Sequence, residues 1–319
     1  MINVTAGIIE FDNTILIARR KSGKHLAGFW EFPGGKIEKG ESPESCLKRE
    51  LIEELNIEVS IDSFFMDSIY KYDEKTILLK SYKCKASSKE ISLNDHDKTL
   101  WIKTSELSDY KFAPADIPFV NALLNEVKFN RTVYDIKSFL EVEISTWGER
   151  LKQHINACMG EVAGYSQRKA WFDSFNILRD QLKDIPNTDN VKIIFEYELP
   201  RERGRRPDVL ILSGDNLLVL EFKGYSNENT AQIDQAKHYA RDLANYHEKS
   251  QNLNIVPFLV LASASSINKI VDNVHIVSGD ILHQVLSGFI NNGYPNVREW
   301  FHSAYAPLPN LIQSAQLIF

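Results

Sequence analysis

The stretch GGKIEKGESPESCLKRELIEELNI, residues 34–57, decides the fold of the first half of the chain. Gly34 and Gly35 let the backbone pass close to a neighbouring element, where a bulkier residue would clash. Pro43 stands at a typical first helical position, and Asn56 tolerates the left-handed conformation that often ends a helix. The stretch therefore predicts a glycine loop that leads into a helix ending just before Asn56.

Three glutamates of this helix, Glu50, Glu53 and Glu54, have the spacing i, i+3 and i+4 and are expected on one helical surface. Carboxylates this close repel each other unless cations lie between them. Mg²⁺ favours oxygen ligands and bridges substrate phosphates, and Arg49 can orient a neighbouring glutamate. The same residues would also form an ordinary solvated acidic face, and the three glutamates alone do not exclude that alternative.

The full spacing separates the two alternatives. Gly35 is followed after five residues by Glu41 and after seven more by the run Arg49-Glu50-Leu51-x-Glu53-Glu54-x-Asn56-Ile57. This run resembles the Nudix box, G-x5-E-x7-R-E-U-x-E-E-x-G-U, with Asn56 in the place of a glycine. The segments ARRKSGKHLAGFWEFPGGKIEKGE and FAPADIPFV resemble the MutT-like branch of that family, so the resemblance covers about residues 2–127.

The resemblance implies a Nudix fold over residues 1–130, in which the carboxylate helix packs on a mixed sheet. It also implies that bound Mg²⁺, or alternatively Mn²⁺, activates water to release pyrophosphate from a nucleoside triphosphate. The metal ligands or base would be Glu50, Glu53 and Glu54, supported by Glu41 and Arg49. Asp95 resembles an acidic residue that some members bring from a loop, although a loop aspartate is also commonly just solvated.

Base selection is expected at Phe32 and Asp116, with Arg20 nearby and Gly34 and Gly35 alongside. A carboxylate can read the edge of a base by hydrogen bonding, and an aromatic ring can stack on it. Asp116 is equally suited to cap the helix predicted over residues 116–127. Related proteins act on oxidised guanine or modified cytosine nucleotides, and the sequence does not choose between these substrates.

The second predicted domain, residues 131–319, contains RRPDVLILSGDNLLVLEFKGY. Its predicted elements follow the order αβββαβ, which is a mixed α/β core. They are a helical tract over 141–183 that breaks near 160–164, strands over 191–199, 207–212 and 216–222, a helix over 229–248, and strands over 256–263 and 274–279.

Asp208 and Glu221 are separated by twelve residues of a predicted hairpin, so their carboxylates should lie side by side. Lys223 follows Glu221 by two residues and points to the same face. Two carboxylates and a lysine suit Mg²⁺-assisted phosphodiester cleavage. Arg205 and Arg206, the last residues of RERGRR, are candidate phosphate contacts. An exposed hairpin and an exposed basic loop are the alternative interpretations.

This half resembles the core of PD-(D/E)xK nucleases. Gln235 and Tyr239 resemble the Gln-x3-Tyr feature of RecB-like members, which lies close to the metal. Glu161 could match an acidic metal ligand that some members add, or be solvated. Glu196 and Glu198 alternate on the first strand, so one of them could line the site.

The segments from EISTW to APLPNLIQSAQLIF further resemble the front section of predicted bacterial nuclease–helicases, in which a P-loop ATPase follows. No GxxxxGK[ST] occurs in this chain. The chain is therefore expected to be either a fragment of a longer protein or a lineage without the motor. The resemblance implies nucleic acid, DNA in the first instance, as a partner, and an ATPase or helicase in cis or in trans.

Bulk composition limits the partners. The chain has 319 residues, 43% of them apolar, which is enough for two cores. Residues 1–130 and 131–319 each carry a net charge of −3, so neither half is a basic nucleic-acid platform. The three cysteines are too scattered for a disulfide framework or a zinc site. No apolar run spans a membrane, and a cytoplasmic location is expected.

Two functional hypotheses follow. In the first, the chain is an enzyme with two metal sites, a nucleotide hydrolase and a nuclease, in antiviral defence or DNA repair. In the second, the Nudix domain binds a modified nucleotide or base without turnover and thereby regulates or targets the nuclease. Three intact box glutamates favour turnover, because a pure binding domain does not need all of them.

Overall fold

The structure is a computed structural model that describes residues 1–73, 75–159, 164–200 and 204–306. The chain divides into two compact units between Val127 and Lys128. No helix in the described part of the chain has an apolar stretch that is long enough to cross a membrane.

The first unit contains a six-stranded mixed sheet with the order β3-β2-β1-β5-β4, in which β6 pairs with β2. Only β1 and β5 run parallel to each other. The strands are β1 Ile2–Phe11, β2 Thr14–Arg20, β3 Trp30–Glu31, β4 Val59–Lys71, β5 Thr76–Ala86 and β6 His96–Ile102. The helices are α1 Pro43–Leu55 and α2 Ile117–Thr132, and a 3₁₀ helix covers Thr104–Asp109.

The helix α1 begins and ends at the residues that the sequence indicated. The Ser42 hydroxyl accepts a hydrogen bond from the Ser45 amide, and Pro43 opens the first turn. Asn56 ends the helix with a φ of 50°, and its amide donates to carbonyls of the last turn. The predicted helix is therefore confirmed, including the role of Asn56 in place of a glycine.

Successive side chains of β1 and β2 point to opposite faces of the sheet, and α1 and α2 pack on these two faces. Ile9 and Leu16 pack with the buried leucines of α1. Their neighbours Ile8 and Ile17 pack with Phe119 of α2. Because successive side chains of a strand point to opposite faces, the sheet is covered on both sides. The first unit thus has the mixed sheet and packed carboxylate helix that the resemblance implied.

The second unit contains a seven-stranded sheet with the order β12-β13-β11-β10-β9-β8-β7. Its strands are β7 Val133–Asp135, β8 Lys192–Phe195, β9 Val209–Ser213, β10 Asn216–Lys223, β11 Asn254–Leu261, β12 Asn268–Val271 and β13 Val274–Ser278. Its helices are α3 Ile136–Glu141, α4 Ile144–Met159, α5 Tyr165–Leu182, α6 Thr230–Tyr246, α7 Leu282–Leu286 and α8 Val297–Phe301, and 3₁₀ helices cover Glu248–Ser250 and Gly279–Ile281.

The predicted strand over residues 191–199 is shorter in the structure. It ends at Phe195, and Glu196 has a φ of 50°, which lies in the left-handed region. Such a conformation is uncommon for a residue with a side chain. It ends the strand and directs the Glu196 carboxylate inward.

Candidate active sites

The glycine loop lies directly against β1 and α1. A Cβ at Gly34 would lie 2.2 Å from the Thr5 carbonyl oxygen, and a Cβ at Gly35 would lie 2.0 Å from the carboxyl carbon of Glu50. The Thr5 amide donates to the Gly35 carbonyl at 2.8 Å and holds the loop in place. The two glycines therefore allow the loop to touch both the sheet and the carboxylate helix, as the sequence predicted.

Cys46, near the start of α1, is fully buried against the glycine loop. Its thiol donates to the Gly35 carbonyl at 3.7 Å and accepts hydrogen bonds from the Thr5 hydroxyl and the Arg49 guanidinium, both at 3.6 Å. Burial raises the pKa of this thiol. Cys46 thus fills the space behind the loop.

Arg49 holds three of the predicted carboxylates. Its Nε and Nη2 donate to the two oxygens of Glu41 at 2.9 and 3.0 Å. Its Nη1 donates to Glu50 at 3.0 Å and to Glu53 at 3.1 Å. The Arg49 hydrogen bonds lower the pKa of Glu41 to about 2. Arg49 and Glu41 therefore form an ion pair, and Arg49 also contacts two of the box glutamates.

The three box glutamates do not share one surface in the way that their spacing suggested. The Glu53 side chain is 58% exposed beside Arg49, whereas those of Glu50 and Glu54 are both 16% exposed. At 100° per residue, Glu50 and Glu54 lie 40° apart around the helix, but Glu53 lies 100° from Glu54. Burial is the largest cause that raises the pKa of Glu54, to about 7.

His96 is a site residue that the sequence analysis missed. Its Nε2 donates to Glu31 at 2.9 Å, and its Nδ1 lies 3.9 Å from Oε2 of Glu54. Glu31 also forms an ion pair with Arg20. The facing atoms, Nδ1 of His96 and Oε2 of Glu54, are buried, and neither has a hydrogen-bond partner. A histidine between two aspartates was a weak signal, because its role depends on the pairing of β6 with β2.

Asp95, the predicted extra ligand, borders a cavity that Glu50 and Glu54 also line. Its carboxylate is partly exposed. Lys21 and Lys24 approach this carboxylate at 3.2 and 2.8 Å. The hydrogen bond from Lys24 is the largest cause that lowers the pKa of Asp95. The structure thus brings Asp95 to the rim of the site, in contact with lysines.

The predicted base-selecting residues border one cavity of about 410 Å³, together with Gly34, Gly35, Glu50 and Glu54. The Asp116 carboxyl accepts a hydrogen bond from the Phe32 amide at 3.0 Å, and burial raises its pKa well above the usual range. Only a small part of the Phe32 ring is exposed, because it packs on Phe112 at a centroid distance of 5.4 Å. Tyr72, which was not predicted, also borders the cavity.

A second cavity, of about 340 Å³, lies in the second unit and brings together Asp208, Glu221 and Lys223. Lys223 Nζ donates to Glu221 Oε1 at 2.8 Å, and Asp208 accepts from the Phe222 amide at 2.7 Å. Burial raises the pKa of both carboxyls. Oε2 of Glu221 is buried and has no hydrogen-bond partner. The hairpin therefore positions the three residues as the sequence predicted.

Glu196 borders this cavity and Glu198 does not, so Glu196 is the one of the two glutamates that faces the site. The Glu196 carboxylate accepts hydrogen bonds from Trp171 at 2.7 Å and from Arg206 at 3.0 Å. Glu198 instead pairs with Lys128 at 2.9 Å. Both oxygens of Glu196 are thus engaged inside the protein.

The two predicted phosphate-binding arginines are held by carboxylates. Arg206 is buried against Glu196. Arg205 pairs with the buried Asp242 at 2.8 Å and lies 5.2 Å from the centre of the Tyr239 ring. The Arg206 side chain is 8% exposed and that of Arg205 is 37% exposed, and each forms an ion pair with an inward-facing carboxylate. The other residues of that basic run include 201–203, which lie outside the described residues.

Gln235 and Tyr239 border the second cavity, and Gln235 donates to the Tyr239 hydroxyl at 3.3 Å. Glu161, the predicted acidic residue of the preceding helix, lies outside the described residues. The helix α5 instead contributes Gln167 and Trp171 to the cavity. Both were missed, because neither stands in a charged motif.

Both cavities have features that fit a divalent cation. In the first unit, the glycine loop leaves room for the Glu50 carboxylate, and Glu54 has a free buried oxygen. In the second unit, Glu221 has a free buried oxygen. Among residues 1–73, 75–159, 164–200 and 204–306, however, no three acidic, histidine or cysteine side chains already form a metal-binding group. In each cavity the carboxylates border the same space, but no three of the described side chains are placed to bind one cation.

Comparison with known proteins gives similarities for the first unit. The family model of the NUDIX domain matches residues 4–122. The CTP pyrophosphohydrolase of Escherichia coli is 36% identical over 124 residues, which are 39% of this chain and 92% of that protein. The 8-oxo-dGTP diphosphatase of Haemophilus influenzae is 33% identical over 127 residues, 40% of this chain and 93% of that protein.

Among solved structures, the solution structure of the DNA mismatch repair protein MutT from methicillin-resistant Staphylococcus aureus is similar. It is 38% identical, and the match covers 39% of this chain and 96% of that one with a TM-score of 0.35.

Proposed function

Because the chain belongs to the Nudix family through its N-terminal unit, we propose that this unit hydrolyses a diphosphate linkage of nucleoside triphosphates with Mg²⁺ or Mn²⁺ as cofactor. The observation that carries the proposal is the buried carboxylate of Glu54, whose Oε2 has no partner, beside the loop that accommodates Glu50. The names of the similar proteins make CTP and 8-oxo-dGTP the first substrates to test.

The residues around the first cavity have separate roles in this proposal. Glu50 and Glu54, which line the cavity, and Glu53, which lies beside Arg49, would hold the metal, and Arg49 keeps Glu50 and Glu53 in place. Bound there, Mg²⁺ would neutralise phosphate charge and lower the pKa of a water molecule. Without a metal, burial raises the pKa of Glu54 to about 7, and a cation bound at this carboxyl would favour its ionised form.

The other end of the cavity binds the base. Burial raises the pKa of the Asp116 carboxyl well above its usual range, and in its protonated form this carboxyl can donate and accept hydrogen bonds to the base edge. Arg20 lies near Asp116 in the same cavity, and Phe32, which is almost fully buried, lines the cavity as an apolar residue. Oxidised or otherwise modified nucleotides are the proposed substrate class.

The test is a panel of ordinary, oxidised and methylated nucleoside triphosphates with Mg²⁺, assayed for pyrophosphate release. Glu53→Gln should lower the rate strongly, whereas Glu58→Gln, which removes one exposed charge next to α1, should not. If wild-type protein releases no pyrophosphate from any nucleotide, hydrolysis is refuted. Saturable binding of one nucleotide in that case would support the alternative, a sensor that regulates the second unit.

We propose for the second unit a Mg²⁺-dependent nuclease activity of the PD-(D/E)xK type, on DNA in the first instance. The observation that favours it is the free buried oxygen of Glu221, beside Asp208 and Lys223 in one cavity. Asp208 and Glu221 would hold the metal, and Lys223 would stabilise charge on the scissile phosphate. Gln235 orients the neighbouring Tyr239.

Plasmid nicking and cleavage of labelled RNA test this second proposal and identify the preferred nucleic acid. Lys223→Ala should abolish cleavage, whereas Lys237→Ala, at an exposed lysine of α6, should leave it intact. Equal cleavage by wild type and Lys223→Ala would refute the assignment. A role in antiviral defence or DNA repair, together with a helicase or ATPase, is supported by the pairing of these two activities alone.

A further inference from the structure

We infer that His96 is a positioning residue that sets the Glu54 carboxylate for metal binding and couples it, through Glu31, to the base-binding end of the cavity. This inference rests on the proposed function of the first unit. It concerns a residue outside the box motif, and three features of the structure carry it.

The first feature is the pair of facing polar atoms. Nδ1 of His96 and Oε2 of Glu54 lie 3.9 Å apart, and both are buried without a hydrogen-bond partner. Buried polar atoms are nearly always paired, so two unpaired atoms that face each other need a reason. A shift of about 1 Å would bring them to hydrogen-bond distance, and the bond forms when one of the two atoms carries a proton. Catalytic hydrogen bonds are commonly long without substrate and shorten when it binds.

The second feature is the fixed position of the imidazole. Nε2 of His96 donates to Oε1 of Glu31 at 2.9 Å, because a carboxylate oxygen can only accept. Nδ1 is therefore the atom that His96 presents to Glu54. The other oxygen of Glu31 is held by Arg20. The imidazole thus bridges two carboxylates, one of which is anchored on both sides.

The third feature is the link to the base-binding end. Glu31 pairs with Ala18 of β2, and His96 pairs with Arg20 of the same strand. Residue 32, next in the chain after Glu31, donates its amide to Asp116. Because these residues lie on paired strands, a movement of the loop at residue 32 reaches Glu54 through the side chains of Glu31 and His96. Groups behind metal ligands that are fixed in this way orient the ligands.

The experiment compares wild type with His96→Phe, which keeps a planar ring, and with His96→Asn, which keeps a polar atom near Nδ1. Asp97→Asn is the matched control, since it removes a charge from the neighbouring strand position, where Asp97 pairs with Arg19 on the surface. Steady-state hydrolysis gives kcat and KM. His96→Phe should lower kcat about 10-fold or more with KM nearly unchanged, and His96→Asn should recover part of the loss.

A second readout needs no turnover. Mn²⁺ binding is measured by electron paramagnetic resonance on the full chain carrying Asp208→Asn and Glu221→Gln, so that the second cavity does not contribute. His96→Phe in this background should weaken Mn²⁺ binding about 10-fold, and Asp97→Asn should not change it. Unchanged Mn²⁺ affinity in a folded His96→Phe protein, or an equal loss in His96→Asn and His96→Phe, would overturn the inference. Failure of wild type to hydrolyse any nucleotide would refute the proposed function and leave the Mn²⁺ comparison valid.

Discussion

The two adjacent glycines of the loop should fail in different ways when each is replaced by alanine. At residue 35 the new Cβ would lie 2.0 Å from the Glu50 carboxyl carbon, which is the mobile end of a side chain. At residue 34 it would lie 2.2 Å from the Thr5 carbonyl oxygen, which belongs to the backbone of β1. The first clash can be relieved by moving a carboxylate, and the second only by moving a strand.

The magnitudes follow from these distances. Ordinary contact starts at 3.4 Å, so Gly35→Ala must displace the Glu50 carboxylate by about 1.4 Å, away from its 3.0 Å hydrogen bond with Arg49. A displacement of about 1 Å in a catalytic group lowers the rate about 100-fold. The free energy of unfolding should change by less than about 1 kcal/mol, because the buried face of α1 is unaffected. Gly34→Ala should lower it by about 3 kcal/mol.

The assay pairs pyrophosphate release with urea unfolding of the same variants. Gly40→Ala is the control: the residue has a φ of +86° and no atom near its Cβ position. It should lose about 1 kcal/mol of stability through backbone strain and keep its kcat. Wild-type kcat in Gly35→Ala would refute the role of the close contact between residue 35 and the Glu50 carboxylate. Wild-type stability in Gly34→Ala would refute the contact with β1.

Two further predictions concern the second unit. Burial lowers the pKa of His247 to about 4, so between pH 6.5 and 4 the unfolded chain binds a proton that the folded chain does not, and stability falls as the pH falls. His247→Gln should remove about 3 kcal/mol of this loss. The measurement is the free energy of unfolding from urea-dependent hydrogen exchange of α6, compared between variant and wild type at pH 7 and pH 4. Parallel pH profiles of the two proteins would contradict the prediction. Glu196→Gln should destabilise the unit by about 3 kcal/mol, because it removes the carboxylate charge that lies against the buried guanidinium of Arg206. Glu198→Gln, at a partly exposed pair with Lys128, should cost less than about 1 kcal/mol, and equal effects of the two variants in urea unfolding would refute the distinction.

Local sequence signals predicted the regular elements well, because the residues that determine them are adjacent in the chain. Pro43 and Asn56 predicted the ends of α1, and the strands predicted over 207–212 and 216–222 correspond to β9 and β10. The strand β3 was missed because it has two residues and exists only through its pairing with β2. The strand β7, Val133–Asp135, was missed for the same reason, because it has three residues and exists through its pairing with β8.

The candidate sites were predictable only where a motif carries the chemistry. Glu50 and Lys223 were found from spacing. His96 was missed because its position opposite Arg20 follows a bulge in the pairing of β2 with β6, which no sequence period reveals. Trp171 was missed because an isolated tryptophan in a helix predicts a core residue, and its indole contact with Glu196 depends on tertiary packing.

The position of Cys46 provides a reporter of loop opening. A disulfide reagent reacts only with a thiolate that it can reach. Cys46 is buried behind the glycine loop, and burial raises the pKa of Cys84, which is also buried, to about 12. In a Cys158→Ser protein, the rate of thiol labelling at Cys46 relative to a free peptide would therefore measure the free energy of separating the loop from α1. Nucleotide binding at the cavity should slow that labelling, even for substrates that the protein never hydrolyses.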